Sequence, residues 1–404
     1  MTVTTAMTAI LRDRDLRLAA GLMVLQGAFG CSLGPYISLL AVRQFGLGDG
    51  GYAAMMVVST LVSVTAAVAA GIRADQTANR RSIALWSCWL MVAGTGLVAV
   101  VPGAVSFVLA HALLLPMNTL FGQLFAQSRL AAQGYDARTR DGIMATIRAL
   151  FALPFVVVLP LWSLAFSHAT PLLAIYPVAL ALALTMLALT ARLWPTAEAA
   201  NWQDRPSGLS LRQALRELTS PALTLRIAAL GAVSAGGTAY WAIMGLVLSH
   251  GGGPATAALY AGLVAGLEVP FMLAVPLVLP HVRRTHLILI GTCIYTLQLL
   301  GIPLLADSPA LWLVLIPGAV GGALTLTLPI AYLQDALGHR PGTGAALMAL
   351  MKLAGDAMAA GSFAIGTALS GYLLAAVLAA FITVLGAVVL VWADRKVAAR
   401  SSRG

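Results

Sequence analysis

The chain has 404 residues, of which 60% are hydrophobic and 9% are charged, and its formal net charge is +10. Soluble domains carry about 25% charged residues, so this composition excludes an ordinary soluble protein. The basic excess does not indicate a nucleic-acid partner, because the Lys and Arg residues are spread over short segments between apolar runs. The three cysteines lie far apart in apolar runs and predict neither a disulfide framework nor a metal site.

Apolar runs of about 20 residues, long enough to cross a bilayer as helices, recur along the whole chain. Charged residues at 12–17 precede the first run and no small-residue cleavage site ends it, so we expect the first helix to stay in the membrane. Breaks at Gly, Pro and charged residues predict an all-α integral membrane protein with twelve transmembrane helices. The predicted spans, numbered one to twelve, are 18–42, 51–72, 82–101, 104–127, 142–166, 170–192, 222–249, 256–280, 285–305, 309–333, 342–369 and 371–393.

The distribution of basic residues predicts the orientation of these spans. An even number of spans puts both termini on one side, and the segments on that side contain nearly every Lys and Arg. The opposite side contains only Arg43. Because cytoplasmic loops are enriched in Lys and Arg, we expect both termini to be cytoplasmic.

The longest connection between spans divides the chain into two related halves. We predict an N-terminal six-helix bundle at 1–193, a cytoplasmic linker with a short amphipathic helix at 194–220, and a C-terminal six-helix bundle at 221–404. Met144-Ala-Thr-Ile-Arg148 in span five recurs as Met348-Ala-Leu-Met-Lys352 in span eleven, and the basic pair after span two recurs after span eight at almost the same offset. Two six-helix halves in parallel repeat, with a substrate site near the midplane, form the plan of a rocker-type transporter.

The connection between spans two and three has a motif of its own. It reads Gly71-Ile-Arg73-Ala-Asp75-Gln-Thr-Ala-Asn79-Arg80-Arg81 and resembles the loop signature of the major facilitator superfamily. The resemblance implies the major facilitator fold and a cytoplasmic gate closed by charge contacts of Asp75, Arg80 and Arg81. Alternatively, the arginines are only topological anchors, which leaves Asp75 unexplained.

Within that superfamily the chain resembles the bacterial sugar efflux transporters. The stretches that carry the resemblance are 73–81, Ala265-Gly-Leu-Glu268-Val-Pro-Phe-Met-Leu273 in span eight, and Leu333-Gln-Asp335 followed by Gly338, Arg340 and Gly342. The resemblance implies efflux of sugars across a bacterial inner membrane. Lys352 and Asp356 depart from it, since uncharged residues are expected at these two positions.

Four ionisable residues lie well inside predicted spans, at a cost of about 2.5–3.5 kcal/mol each at a helix centre. Lys352 and Asp356 are four residues apart, so they share a helix face and can pair, as a structural ion pair or in a wall for substrate or protons. Glu268 has an apolar surrounding sequence that favours its neutral form, which makes it the candidate proton carrier, with Asp356 as the second. Alternatively, Glu268 is hydrogen-bonded to a neighbouring helix. Arg148 needs an anion nearby, and we expect Glu268 or Asp356 to supply it.

Neutral polar and aromatic residues complete the candidate substrate site. Amide side chains suit sugar hydroxyls and aromatic faces suit sugar rings, and for each residue ordinary helix packing is the alternative interpretation. The candidate substrate-binding residues are Gln26, Asn118, Gln123, Arg148, Tyr240, Trp241, Lys352 and Asp356. The six histidines have no metal-ligand spacing, and neither a Walker loop nor a nucleophile–base pattern occurs. We therefore expect no metal, no cofactor and no enzymatic activity.

These features predict a monomeric secondary transporter that exchanges sugars or sugar-like small metabolites for protons by alternating access. A proton-coupled multidrug exporter is the alternative, followed by an importer of a small polar solute or metal complex. A membrane sensor or assembly protein is a further alternative, which the buried charges argue against because such a protein does not need them.

Overall fold

The computed structural model describes residues 3–77, 79–195, 221–278, 281–337 and 341–401, and within these ranges it contains helices and no strand. Ten of the described helices are long and apolar enough to cross a membrane. They coincide with predicted spans one to three, five to ten and twelve. Predicted span four coincides in part with the shorter apolar helix Ala104–Leu114, and predicted span eleven with the helix Pro341–Leu369. The all-α, multi-pass prediction is confirmed.

The helices overlap the predicted spans in both halves of the chain, apart from breaks in spans one and four. In the first half the main helices are Val3–Arg12, Arg14–Leu33, Gly48–Thr77, Arg80–Val100, Leu120–Ala131, Ala137–Ser167 and Ile175–Leu193. In the second half they are Pro221–Val278, Arg284–Leu305, Leu315–Leu337, Pro341–Leu369 and Tyr372–Ser401. Within Pro221–Val278, spans seven and eight are separated by a kink at Gly253, whose φ of +67° lies in the region that favours glycine.

Side chains in the polar connections start several helices. The Asp13 carboxylate accepts hydrogen bonds from the backbone N–H groups of Asp15 and Leu16, both at 2.9 Å. The Asn79 side chain accepts from Ser82 N at 3.1 Å, and the Asp136 carboxylate accepts from Thr139 N at 3.1 Å. Each interaction satisfies N–H groups that the first helical turn leaves without partners.

Two spans are broken where the sequence predicts continuous helices. Span one passes from Arg14–Leu33 through a 3-10 turn at Gly34–Tyr36 to a π-helical segment at Leu40–Gln44. Span four stops after Leu114 and resumes at Leu120. Pro35 and Pro116 lie in these breaks, and proline has no N–H for the helical ladder. In span four, Ser87 of the neighbouring helix compensates, because its Oγ accepts from Thr119 N at 3.1 Å.

Contacts divide the chain into two compact units: Met1–Gly34 with Thr65–Gly208, and Pro35–Val64 with Leu209–Gly404. The end of span one and the first half of span two, here called the 35–64 hairpin, thus pack with the second half of the chain. The predicted linker helix lies outside the described residues, and the predicted bundle boundaries at 194–220 stay a prediction.

Glycines let spans seven and eleven cross at close range in the second unit. A Cβ at Gly231 would lie 2.7 Å from the Ala354 Cβ and 2.9 Å from Met351 O, and one at Gly355 would lie 2.7 Å from Gly231 O. Side chains at these positions would force the helices apart. The crossing places the residue after Gly355, Asp356, beside span seven.

Candidate functional site

The polar centre of the second unit is the carboxylate of Asp356. It forms an ion pair with Lys352 one turn earlier in the same helix, as the sequence predicts. Thr238 Oγ1 of span seven donates a hydrogen bond to Asp356 Oδ1 at 2.7 Å. Thr60 Oγ1 of the 35–64 hairpin donates to Asp356 Oδ2 at 3.1 Å. One carboxylate thus connects three helices. The four residues Asp356, Lys352, Thr238 and Thr60 are here called the Asp356 cluster.

The two members of the ion pair differ in exposure. The Asp356 side chain is 9% exposed and that of Lys352 is 55% exposed. A carboxylate removed from water requires an opposite charge and hydrogen-bond donors, and breaking such a pair by removing one partner costs about 3–5 kcal/mol. The Asp356 cluster supplies both an opposite charge and hydrogen-bond donors.

The 35–64 hairpin makes further contacts within the second unit. Arg43 and His250 form a side-chain hydrogen bond, and the Tyr372 hydroxyl donates a hydrogen bond to the Asp49 carboxylate at 3.1 Å. The hairpin also packs the Tyr52 ring edge-on against Phe363, with centroids 5.4 Å apart. Polar contacts near the turn and the Thr60–Asp356 bond at mid-helix therefore hold the hairpin along its length.

Glu268 lies in a separate group of polar side chains. It is half-buried beside Gly322 of span ten, where a Cβ would meet its carboxylate oxygen. Tyr240 and Tyr295 lie within electrostatic range of this carboxylate, and their ring centroids are 6.3 Å apart. Among the described residues Glu268 has no ion-pair partner, in contrast to Asp356.

The predicted aromatic pair of span seven belongs to this second group. The Tyr240 and Trp241 rings contact each other with centroids 5.1 Å apart. The Tyr240 hydroxyl is buried and has no hydrogen-bond partner within the described ranges. Gln298 donates to the Tyr260 hydroxyl at 3.1 Å, while its own carbonyl oxygen is also buried without a partner. The Tyr240 hydroxyl and the Gln298 carbonyl oxygen could therefore bind a polar group.

The predicted site residues of the first half lie in the first unit. Gln26 and Gln123 each have a buried side-chain oxygen without a partner among the described residues, and both amide atoms of the fully buried Gln127 share this property. The Asn118 carbonyl oxygen accepts from Leu120 N at 2.8 Å, so this side chain supports the break in span four. Arg148 is half-buried, and its pairing with Glu268 or Asp356 stays a prediction.

One side chain of the predicted cytoplasmic gate has a defined structural role. Arg81 donates to Ala191 O at 2.7 Å, near the end of the helix Ile175–Leu193. A basic side chain at this position satisfies a terminal carbonyl and complements the helix dipole. Arg80 is half-buried, and the side chain of Asp75 lies outside the described residues. The gate itself stays a prediction.

Three residues that complete these groups were not predicted from the sequence: Thr60, Thr238 and Tyr295. Thr60 and Thr238 are ordinary threonines within apolar spans, and Tyr295 lies on a span without a motif. Their positions depend on how the helices pack, which single-span patterns do not contain. Within the described ranges, no group of His, Cys, Asp and Glu that could hold a metal ion is found.

Comparison with known proteins defines the class of the fold. No protein-family model and no curated protein matches this sequence. The nucleoside transporter NupG matches with a TM-score of 0.75 at 13% identity, over 94% of this chain and 99% of its own. A D-xylose-proton symporter matches with a TM-score of 0.70 at 14% identity, over 92% of this chain and 95% of its own. The peptide transporter POT, bound to alafosfalin, matches with 0.73 at 14% identity, over 95% of each chain.

All three of these neighbours are transporters and none is an enzyme. The protein therefore has the major facilitator fold, as the sequence predicts. At these identities the likeness establishes the fold alone, and substrate and direction have to be argued from this chain's own residues.

Proposed function

We propose that this protein is a secondary transporter that exports sugars or sugar-like small metabolites from the bacterial cytoplasm in exchange for protons. The observation that carries the proposal is the Asp356 cluster: an ion pair and two hydroxyl donors kept near the middle of membrane-spanning helices. Replacing such a pair by apolar residues is often neutral or stabilising. Its retention favours a role in binding a polar solute over a role in stability.

Two further observations support the proposal. Glu268 is a second carboxyl group within a span, and it lacks the basic neighbour that Asp356 has. Two carboxyl groups in different surroundings suit separate roles in proton and substrate handling. The D-xylose-proton symporter, a protein of the same fold, couples transport of a sugar to that of a proton, as its name states.

The roles of the residues follow from their surroundings. Glu268 carries the proton, while Lys352, Asp356 and Arg148 orient the substrate. The remaining candidates bind hydroxyl groups and the ring face: Gln26, Asn118, Gln123, Tyr240 and Trp241. The cytoplasmic side is closed by Asp75, Arg80 and Arg81, and the two six-helix bundles alternate about the linker at 194–220.

The test is proton movement driven by substrate. Purified protein is reconstituted in liposomes that enclose a pH-sensitive dye, and a sugar is added outside. Exchange for protons makes the interior more alkaline as the sugar enters, and a protonophore abolishes the signal. Acidification would instead identify a symporter. Proton movement with lipophilic cations but not with sugars would replace the proposal by a multidrug exporter.

A further inference from the structure

The Asp356 carboxylate is already occupied by protein donors. Oδ1 accepts from Thr238, and Oδ2 accepts from Thr60 and pairs with Lys352. With its side chain 9% exposed, Asp356 has little capacity left for the hydroxyl groups of a substrate. Its contacts make it a positioning residue for Lys352 and the 35–64 hairpin.

Lys352 is the accessible member of the same pair. An ammonium group has three N–H donors, and the only partner that the described part of the chain gives it is Asp356. Its side chain is 55% exposed although it lies within a membrane-spanning helix. Exposure of a charge to lipid is costly, so the ammonium faces water and has donors available for a solute.

The internal repeat adds an independent observation. Lys352 and Arg148 occupy equivalent positions of the Met-Ala-x-x-basic motif in spans eleven and five. Each half thus has a basic side chain at this position, and a basic side chain suits an anionic solute better than a neutral one. An ammonium recognises anionic oxygen groups through charge-assisted hydrogen bonds.

We propose that Lys352 binds an anionic oxygen group of the substrate, a carboxylate or a phosphate, while Asp356 orients the ammonium from the protein side. The transported metabolites are therefore sugar acids or sugar phosphates. This inference rests on the proposed function and narrows its substrate class.

Three probes with similar hydroxyl groups test the proposal: D-glucose, D-gluconate and D-glucose 6-phosphate. Thermal shift of the purified full chain is measured against each probe, with sodium chloride matching the ionic strength. We expect an acidic probe to raise the Tm at concentrations at least tenfold below those needed for glucose. Gluconate against glucose 6-phosphate distinguishes the carboxylate from the phosphate.

The variants are chosen to keep the protein folded. Lys352→Gln alone leaves the Asp356 carboxylate uncompensated, so the informative variant is the double change Lys352→Gln with Asp356→Asn, which removes both charges. We expect it to lose the preference for acidic probes, and Lys352→Arg to retain it. The proposal is overturned if wild-type protein responds equally to all three probes or to none, or if the double variant still prefers the acids.

Different results would overturn the anion site at Lys352 and the proposed proton-coupled sugar transport. Equal binding of glucose and the acids, together with sugar-driven alkalinisation of liposomes, would remove this inference and leave proton-coupled sugar transport intact. A preference for acids that Lys352 controls, without any proton movement, would support the anion site and remove the proposed coupling.

Discussion

Glu268 is the residue at which proton coupling is tested most directly. Its carboxyl group has no basic partner among the described residues, whereas Asp356 pairs with Lys352 and accepts hydrogen bonds from two hydroxyl groups. We predict that Glu268→Gln abolishes proton-driven transport, because a coupling acid has to bind and release a proton in each cycle. Counterflow exchange needs no net proton movement and is expected to continue. Both are measured in the same liposomes.

If Glu268→Gln transports normally against a gradient while Asp356→Asn loses coupling, Asp356 and not Glu268 carries the proton. The matched pair of variants therefore distinguishes the two assignments.

Gly322 provides a second test of Glu268 without changing its charge. A Cβ at residue 322 would meet the Glu268 carboxylate oxygen, so Gly322→Ala forces this flexible side chain to move. We predict weaker proton coupling with a Tm close to wild type. Gly361→Ala is the control, because no atom lies within 4 Å of its added Cβ. In that position the change is expected to stabilise the helix by about 0.5–1 kcal/mol. Unchanged proton flux in Gly322→Ala would separate this glycine from coupling.

For single residues, the sequence predicted which charged side chains lie within spans but did not predict most of their hydrogen-bond partners. Lys352 and Asp356 could be paired from their spacing alone, because a helix fixes the geometry between residues four apart. Thr60 and Thr238 could not be assigned to Asp356, because they lie on other helices. The partner of Arg148, Glu268 or Asp356, was predicted only from the need of an arginine for a nearby anion, and it stays a prediction.

The 35–64 hairpin is the segment of the first half of the chain that packs with the second half. Thr60→Val removes the hydroxyl bond to the Asp356 carboxylate while keeping the shape of the side chain. A buried hydrogen bond to a charged group contributes about 1.5–3 kcal/mol, so we predict looser docking of the hairpin. The measurement is the rate of thiol labelling at Ala53→Cys, a buried hairpin position, in a background without the three native cysteines.

The control for this experiment is Thr60→Ser, which keeps the hydroxyl and is expected to label at the wild-type rate. Equal labelling of Thr60→Val and wild type would show that the Thr60–Asp356 bond does not hold the hairpin.

For the helices, the breaks in spans one and four coincide with Pro35 and Pro116 of the sequence. They were not predicted, because the apolar composition on both sides is that of a continuous helix. Proline in a membrane helix is tolerated where neighbouring groups satisfy the backbone. Ser87 does this for Thr119, and such a partner on another helix is visible only after folding.

For the whole molecule, the predicted orientation in the membrane rests on the distribution of basic residues and has a direct test. We predict that a cysteine at position 204, in the connection between the halves, is not labelled from outside intact cells. A cysteine at the exposed position of Asp307, between spans nine and ten, is expected to be labelled. A membrane-impermeant maleimide is the reagent, and permeabilised cells provide the control for reactivity. The reverse pattern would invert the orientation.

Hydropathy, spacing and charge along the sequence were sufficient to predict the membrane environment, the approximate limits of the spans, and the positions of the charged residues within them. These are one-dimensional properties, because apolar length, helical spacing and the cost of a charge in lipid act within one span. The hydrogen bonds of Thr60 and Thr238 to Asp356, and the packing of the 35–64 hairpin with the second half of the chain, became apparent only in the folded structure. Such contacts depend on how closely helices approach, and Gly231 and Gly355 permit this through backbone contacts that no hydropathy pattern records.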